Sequence, residues 1–186
     1  MSLGWVHEHR DNLVRNPLTH SHGENKVATA KIGTFEGTVY WARFFLSNKD
    51  DSDFHEKTEG QYNCVFIPKD DAELDRLMQM GFPPMSMGRN MVKEYETADG
   101  PRKGVKLKRP HKHPKIDDFG GPPAVMKGIG GEVWDLENDG DIGNGSKVAV
   151  KVTIFGEGST ATVRLEKVAV LELVPYVKQE YEDMGW

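Results

Sequence analysis

Apolar and polar residues alternate with a period of two along most of the hydrophobic segments of this chain, the pattern of half-buried β-strands. Between Asp141 and Val174, Val148, Val150, Val152 and Ile154 occupy one face of a strand, while Lys147, Lys151 and Thr153 occupy the other. Gly156, Gly158 and Ser159 supply a reversal, and the run from Ala161 to Val174, rich in β-branched residues and leucine, returns as the second arm of a hairpin. Thr38 to Leu46 predicts a further strand, with Tyr40, Ala42 and Phe44 on one side and Trp41, Arg43 and Phe45 on the other. An acidic, turn-rich loop from Asn48 to Gly60 leads into a strand over Tyr62 to Ile67. Val105 and Leu107, alternating with Lys106 and Lys108, predict another, which Pro110 and Pro114 end.

The period changes once. Asp70 and Asp71 are N-terminal caps for a short helix in which Leu74, Leu77 and Met78 form a stripe, stopped by Gly81 and Pro83, and this helix is expected to lid one end of a barrel. The Met-rich segment from Met78 to Met91 reads as adaptable packing beneath a loop. Residues 97–104 are expected to form a turn, 117–131 an irregular connection, and Glu132 to Leu136 a short run. Residues 1–25 keep neither period and read as a loosely attached arm. Short strands separated by Gly, Pro and Asp turns, with one helix and no internal repeat, predict an all-β fold closed into a small barrel. The glycines of 128–145 precede a strand and not a helix, which excludes a dinucleotide-binding fingerprint.

Composition adds bounds. The 186 residues fit one domain; 37% are hydrophobic and 28% charged, and no apolar run is long enough for a helical membrane span. The lone cysteine, Cys64, and the lack of a leader pattern at the N-terminus lead us to expect a cytoplasmic protein. The net charge of −5 opposes general attraction to nucleic acid, but the charge is uneven. Pro101 to Ile116 carries seven basic residues and no acid, whereas Glu132 to Asp141 and the C-terminal end are acidic.

Specific residues carry a family resemblance. Ile142-Gly143-Asn144-Gly145-Ser146-Lys147, Val150-Lys151, Val163-Arg164-Leu165-Glu166 and Val170-Leu171-Glu172-Leu173 follow Ile32-Gly33-Thr34 with Glu36, Tyr40, Ala42 and Arg43, then Gly60 to Pro68 (GQYNCVFIP), and precede an acidic end closing on an aromatic. In order and spacing they resemble the OB-fold single-stranded DNA-binding proteins of short-tailed bacteriophages, over roughly residues 26–186. The resemblance implies a five-stranded Greek-key barrel with elaborated loops over 26–177, following the arm over 1–25, and a long, strongly acidic tail with a terminal aromatic, at the place of residues 178–186 here. It also implies sequence-nonspecific coating of single strands in phage replication, recombination and repair, a homodimer, no cofactor, and a tail that docks on the phage polymerase and helicase and competes with DNA. In this chain that tail is short: Glu180, Glu182, Asp183 and Trp186 are its candidate contacts, and a frayed terminus is the alternative reading.

Single strands are held by positive charge that tracks the backbone and by aromatic faces on which bases stack. Trp41, Arg43 and Phe45 have that composition; the opposite reading buries Trp41 and Phe45, and the cost of burying the Arg43 charge favours exposure. The resemblance points to Tyr40 and Arg43, which match its Tyr-x-Ala-Lys/Arg positions. These two share a side only if a bulge interrupts the strand. Lys103, Lys106, Lys108, Arg109, Lys112 and Lys115 are candidates for a phosphate track, Lys147, Lys151 and Arg164 add cations on the hairpin, and His111 and His113 can add stacking. A charge run is also what a solvated surface looks like. The competing function is a jelly-roll-like metalloenzyme using the pairs His7/His9, His20/His22 or His111/His113, or else a virion-associated β-domain. The first two pairs lack strand context, Pro114 follows the third, and Cys64 lacks the setting of a nucleophile. The sequence therefore reads as a non-enzymatic binding protein without a metal.

Overall fold

The computed structural model describes residues 29–178. The pairs His7/His9 and His20/His22, and the tail residues Glu180, Glu182, Asp183 and Trp186, lie outside the described residues. In chain order the elements are β1 (Lys31–Arg43), β2 (Gln61–Pro68), α1 (Asp71–Met80), β3 (Met85–Ser86), β4 (Arg89–Asn90), β5 (Val92–Thr97), β6 (Gly100–Pro110), β7 (Ala124–Lys127), α2 (Leu136–Asp139), β8 (Ser146–Phe155) and β9 (Thr162–Glu172), with short 3-10 turns between some of them.

Seven strands form one sheet in the order β5-β6-β2-β1-β8-β9-β7, and β3 with β4 makes a separate small hairpin. All ladders in the large sheet are antiparallel except β7 with β9. The sheet curls until β6 and β9 lie against each other. Across that seam Arg109 of β6 reaches Glu166 of β9 at 2.7 Å. The barrel strands β1, β2, β6, β8 and β9 thus run 3-2-1-4-5 in their own order with the third beside the fifth, the OB-fold, a partly open five-stranded Greek-key barrel.

The interior is filled by the alternating residues that the sequence pattern marks: Val148, Val150, Val152 and Ile154 from β8, Leu165, Val168 and Val170 from β9, Cys64 and Phe66 from β2, Val105 and Leu107 from β6, and Phe35 and Val39 from β1. Gly37 sits where β1 is paired on both sides, with Pro68 and with Val148. A Cβ there would collide with the Ile67 carbonyl and the Phe66 ring, so only glycine lets the three strands approach so closely. α1 is capped by Asp70, whose carboxylate accepts from Glu73 N–H at 2.8 Å, and ends at Gly81 in the left-handed region. It buries Leu74 and Leu77 and ties itself to β1: Glu73 accepts from Glu36 N–H at 2.7 Å, and Arg76 stacks 4.2 Å over Phe35.

Four expectations change. The turn predicted over 97–104 is tighter, because Thr97 pairs with Gly100 and leaves only Ala98 and Asp99 between β5 and β6. The connection at 117–131 contains β7, whose apolar content is too short to signal a strand without its partner β9. In place of an extended run, Glu132 to Leu136 holds a single bridge, Val133 with Met126, before α2 begins at Leu136. Of the methionines, Met78, Met80 and Met91 pack against the core as expected, whereas Met85 and Met87 are exposed on the β3–β4 hairpin.

Candidate nucleic-acid interface

Cross-strand registers decide what stands side by side on the outer surface. Tyr40, Val65 and Lys106 form one row across β1, β2 and β6, and Arg43, Asn63 and Lys108 form the next, with Val65 and Asn63 buried in the middle of the rows. Two residues of β1, Trp41 and Ala42, stand opposite one of β2, Cys64, so a bulge falls between Tyr40 and Arg43, with Trp41 at φ 50°. The bulge lets Tyr40 and Arg43 share the outer face, as an uninterrupted strand could not. The Trp41 N–H donates to Asn144 Oδ1 at 2.6 Å, which fixes the bulge to the loop before β8.

Trp41 is 55% exposed, and its ring lies 5.8 Å from Tyr40 and 6.4 Å from Tyr95. These three rings form an aromatic surface beside Lys106, Lys108 and Lys93, all exposed and absent from the ion pairs among the described residues. Arg43 is half-exposed and within 3.5 Å of Asp50. Phe45 does not join the rings; β1 ends at Arg43, and Phe45 packs partly buried against the core at the start of a tight turn.

A second aromatic cluster lies further along, where the outer faces of β6 and β9 meet. The Arg164 guanidinium stacks 3.8 Å over Phe119 and 4.9 Å from the Phe155 centroid, with His113 edge-on to Phe119 at 5.5 Å. Together with Lys108, Gln61 and Thr162 they line a hollow of about 450 Å³. Arg164 also pairs with Glu166 at 2.7 Å, and its Nη1 is buried without a hydrogen-bond partner among the described residues, as is Asn63 Nδ2.

The basic residues named from sequence separate into distinct environments. Arg109 is a correction: it is buried at the β6–β9 seam beneath the 118–121 loop, 8% exposed, donating to the carbonyls of Gly120 and Gly121 at 2.8 Å and to Glu166 at 2.7 Å. It is a structural anchor for the 118–121 loop and has no face free for phosphate. Lys103 alternates with Lys106 and faces the other side, opposite Glu94. Lys112 and Lys147 are exposed but paired with Glu59 and Glu172, each at 2.7 Å. Lys151 lies on β8, opposite Thr34 and Lys167, away from the Lys106 row. His111 meets Tyr62 Oη through Nδ1 at 2.8 Å, and His113 Nδ1 accepts from the N–H groups of Lys115 and Ile116. Among the described residues no three His, Cys, Asp or Glu side chains converge to hold a metal. Burial in the apolar interior pushes the Cys64 thiol far up, away from thiolate reactivity. No helix among the described residues is long and apolar enough to cross a membrane.

Sequence reading misses Tyr95, Lys93, Phe119 and Phe155. Tyr95 and Lys93 alternate in Val92–Thr97, a signal that was present but short. Phe119 has no local signal, because only Arg109 and the loop it holds bring that ring to Arg164.

No family model matches the chain, and no curated protein matches it significantly. Among solved structures, the chain is similar to gp2.5, a single-stranded DNA-binding protein encoded by bacteriophage T7, at 19% identity and a TM-score of 0.48, over 84% of this chain and 97% of that one.

Proposed function

We propose that this protein binds single-stranded DNA without sequence specificity, along the outer face of β1, β2 and β6, and has no catalytic activity of its own. The observation that carries the reading is the alignment of the exposed Trp41 ring, flanked by the partly buried rings of Tyr40 and Tyr95, with Lys106 and Lys108, exposed and outside the ion pairs among the described residues, on one barrel face. Rings supply sequence-tolerant stacking and lysines supply phosphate neutralisation, and strands 2 and 3 are the ligand face of OB barrels generally. The Phe119–Arg164–Phe155 cluster extends the same surface by a further stacking position. In keeping with the resemblance read from the sequence, the role is coating of exposed strands in phage replication, recombination and repair within the host cytoplasm, as a homodimer. The acidic end at Glu180, Glu182, Asp183 and Trp186 docks replication partners. Tyr176, near the last described residue, lines a hollow with Trp41 and Arg43.

The test is titration of labelled oligo-dT with the full chain and with a chain ending at residue 178, at low and physiological salt. Expected are binding by both, and modestly tighter binding by the shorter chain at low salt only, since screening acts beyond roughly 8 Å at physiological strength. Absence of binding by either form sinks the reading, and equal affinity of the two at low salt removes the tail from it.

A further inference from the structure

The β3–β4 hairpin carries a residue its turn does not favour. Met85 pairs with Asn90 and Ser86 with Arg89, so Met87 and Gly88 alone make the reversal. Both have positive φ, 49° and 73°, the signature of a type I′ turn, whose first position suits asparagine and strains a side chain such as methionine. Met87 is also 94% exposed, so the chain sets an apolar side chain in water at a strained position. The site beside it is specific. A cleft of about 460 Å³ lies between this hairpin and the β8–β9 loop; Ser86, Met87, Ser159, Thr160, Lys106 and Lys108 are among its lining residues, and the rest of the wall is largely apolar, the face a base ring would meet.

We infer that Met87 is an apolar wedge that packs against a nucleobase of the strand held by Lys106 and Lys108, so that the hairpin and the β8–β9 loop clasp one nucleotide over those lysines. The inference rests on the single-strand reading above. The occupant follows from the lining: two cations unpaired among the described residues for the phosphate, hydroxyls for the sugar and base edges, and a polarizable thioether for the ring face. Methionine is among the side chains that serve as wedges between bases, and sulfur contacts to aromatic rings are favourable.

Met87→Asn separates local strain from function. Asn-Gly is the preferred type I′ pair, so this variant is expected to unfold at a higher temperature than the wild type. Its affinity for oligo-dT is expected to fall by about 2- to 10-fold, the loss of one sulfur–ring contact. The dependence of affinity on salt is expected to stay unchanged, because no phosphate contact is removed. Met87→Ala, measured alongside, loses the thioether without gaining the turn preference and is expected to show the same fall in affinity. Wild-type affinity in both variants overturns the wedge, and so does a fall accompanied by a flatter salt dependence. The double variant Lys106→Ala/Lys108→Ala is the control for the underlying reading. If it weakens binding while the Met87 variants do not, the wedge fails and the groove stands. If the wild type itself does not bind oligo-dT, both fall together.

Discussion

Lys108 and Arg109 are adjacent in sequence and opposite in environment. Alternation along β6 sends Lys108 into solvent and Arg109 to the opposite side, under the 118–121 loop, where its planar fork meets several acceptors at once. Removing it leaves the partly buried Gly120 and Gly121 carbonyls without this donor and the Glu166 carboxylate with Arg164 alone. Arg109→Ala is therefore expected to lower unfolding free energy by about 3–5 kcal/mol, the range for breaking a buried ion pair. Urea denaturation checks it, and a loss below about 1 kcal/mol would return Arg109 to the surface track. Lysine is not expected to rescue the site, since an ammonium cannot reproduce the fork.

At the scale of elements, α1 is fastened to β1 by the Glu73 carboxylate and by its partner Arg76, which also meets the Thr34 carbonyl and the Phe35 ring. Hydrogen bonds from the Arg76 guanidinium, with the Glu36 N–H adding to them, hold Glu73 below the usual carboxylate range despite its burial. A folded pKa below the unfolded value, about 4.3, means the contribution is fully present above that pH and is lost as pH falls through the folded pKa. Glu73→Gln is thus expected to melt below the wild type at pH 7, with the gap closing as the pH drops below about 4. Melting curves from pH 7 to pH 3 decide this; a gap independent of pH would mean that packing, and not charge, fastens the helix.

For the whole molecule, a net charge of −5 coexists with a basic face because the acids are placed elsewhere: Glu59 and Glu172 answer Lys112 and Lys147, while Lys106 and Lys108 have no such partner among the described residues. If those two lysines each neutralise one phosphate, Lys106→Ala/Lys108→Ala should reduce the slope of log K against log salt by about 1.4, at ~0.7 per phosphate on a single strand. Trp41→Ala should weaken binding and leave that slope intact, with little effect on melting because the ring is largely in water. An unchanged slope in the lysine variant would place the track on another face.

Local pattern determined much of this. The alternation of Val148, Val150, Val152 and Ile154 names the buried face of β8, and the acid cap and the Leu74–Leu77 stripe name α1; the bulge between Tyr40 and Arg43, which periodicity alone would put on opposite sides, was called for only by the family resemblance. These are properties of neighbours in the chain, where a period or a cap suffices. Which cations stay free was decided only by the tertiary structure, because a partner such as Glu59 for Lys112 or Glu166 for Arg109 lies more than fifty residues away in sequence. The same holds for β7, which becomes a strand only beside β9, and for Phe119, whose ring reaches Arg164 only because Arg109 gathers the carbonyls of its loop. Period and composition report burial along one element; pairing across elements is a property of closure, and the barrel's seam is where this chain's candidate site is completed.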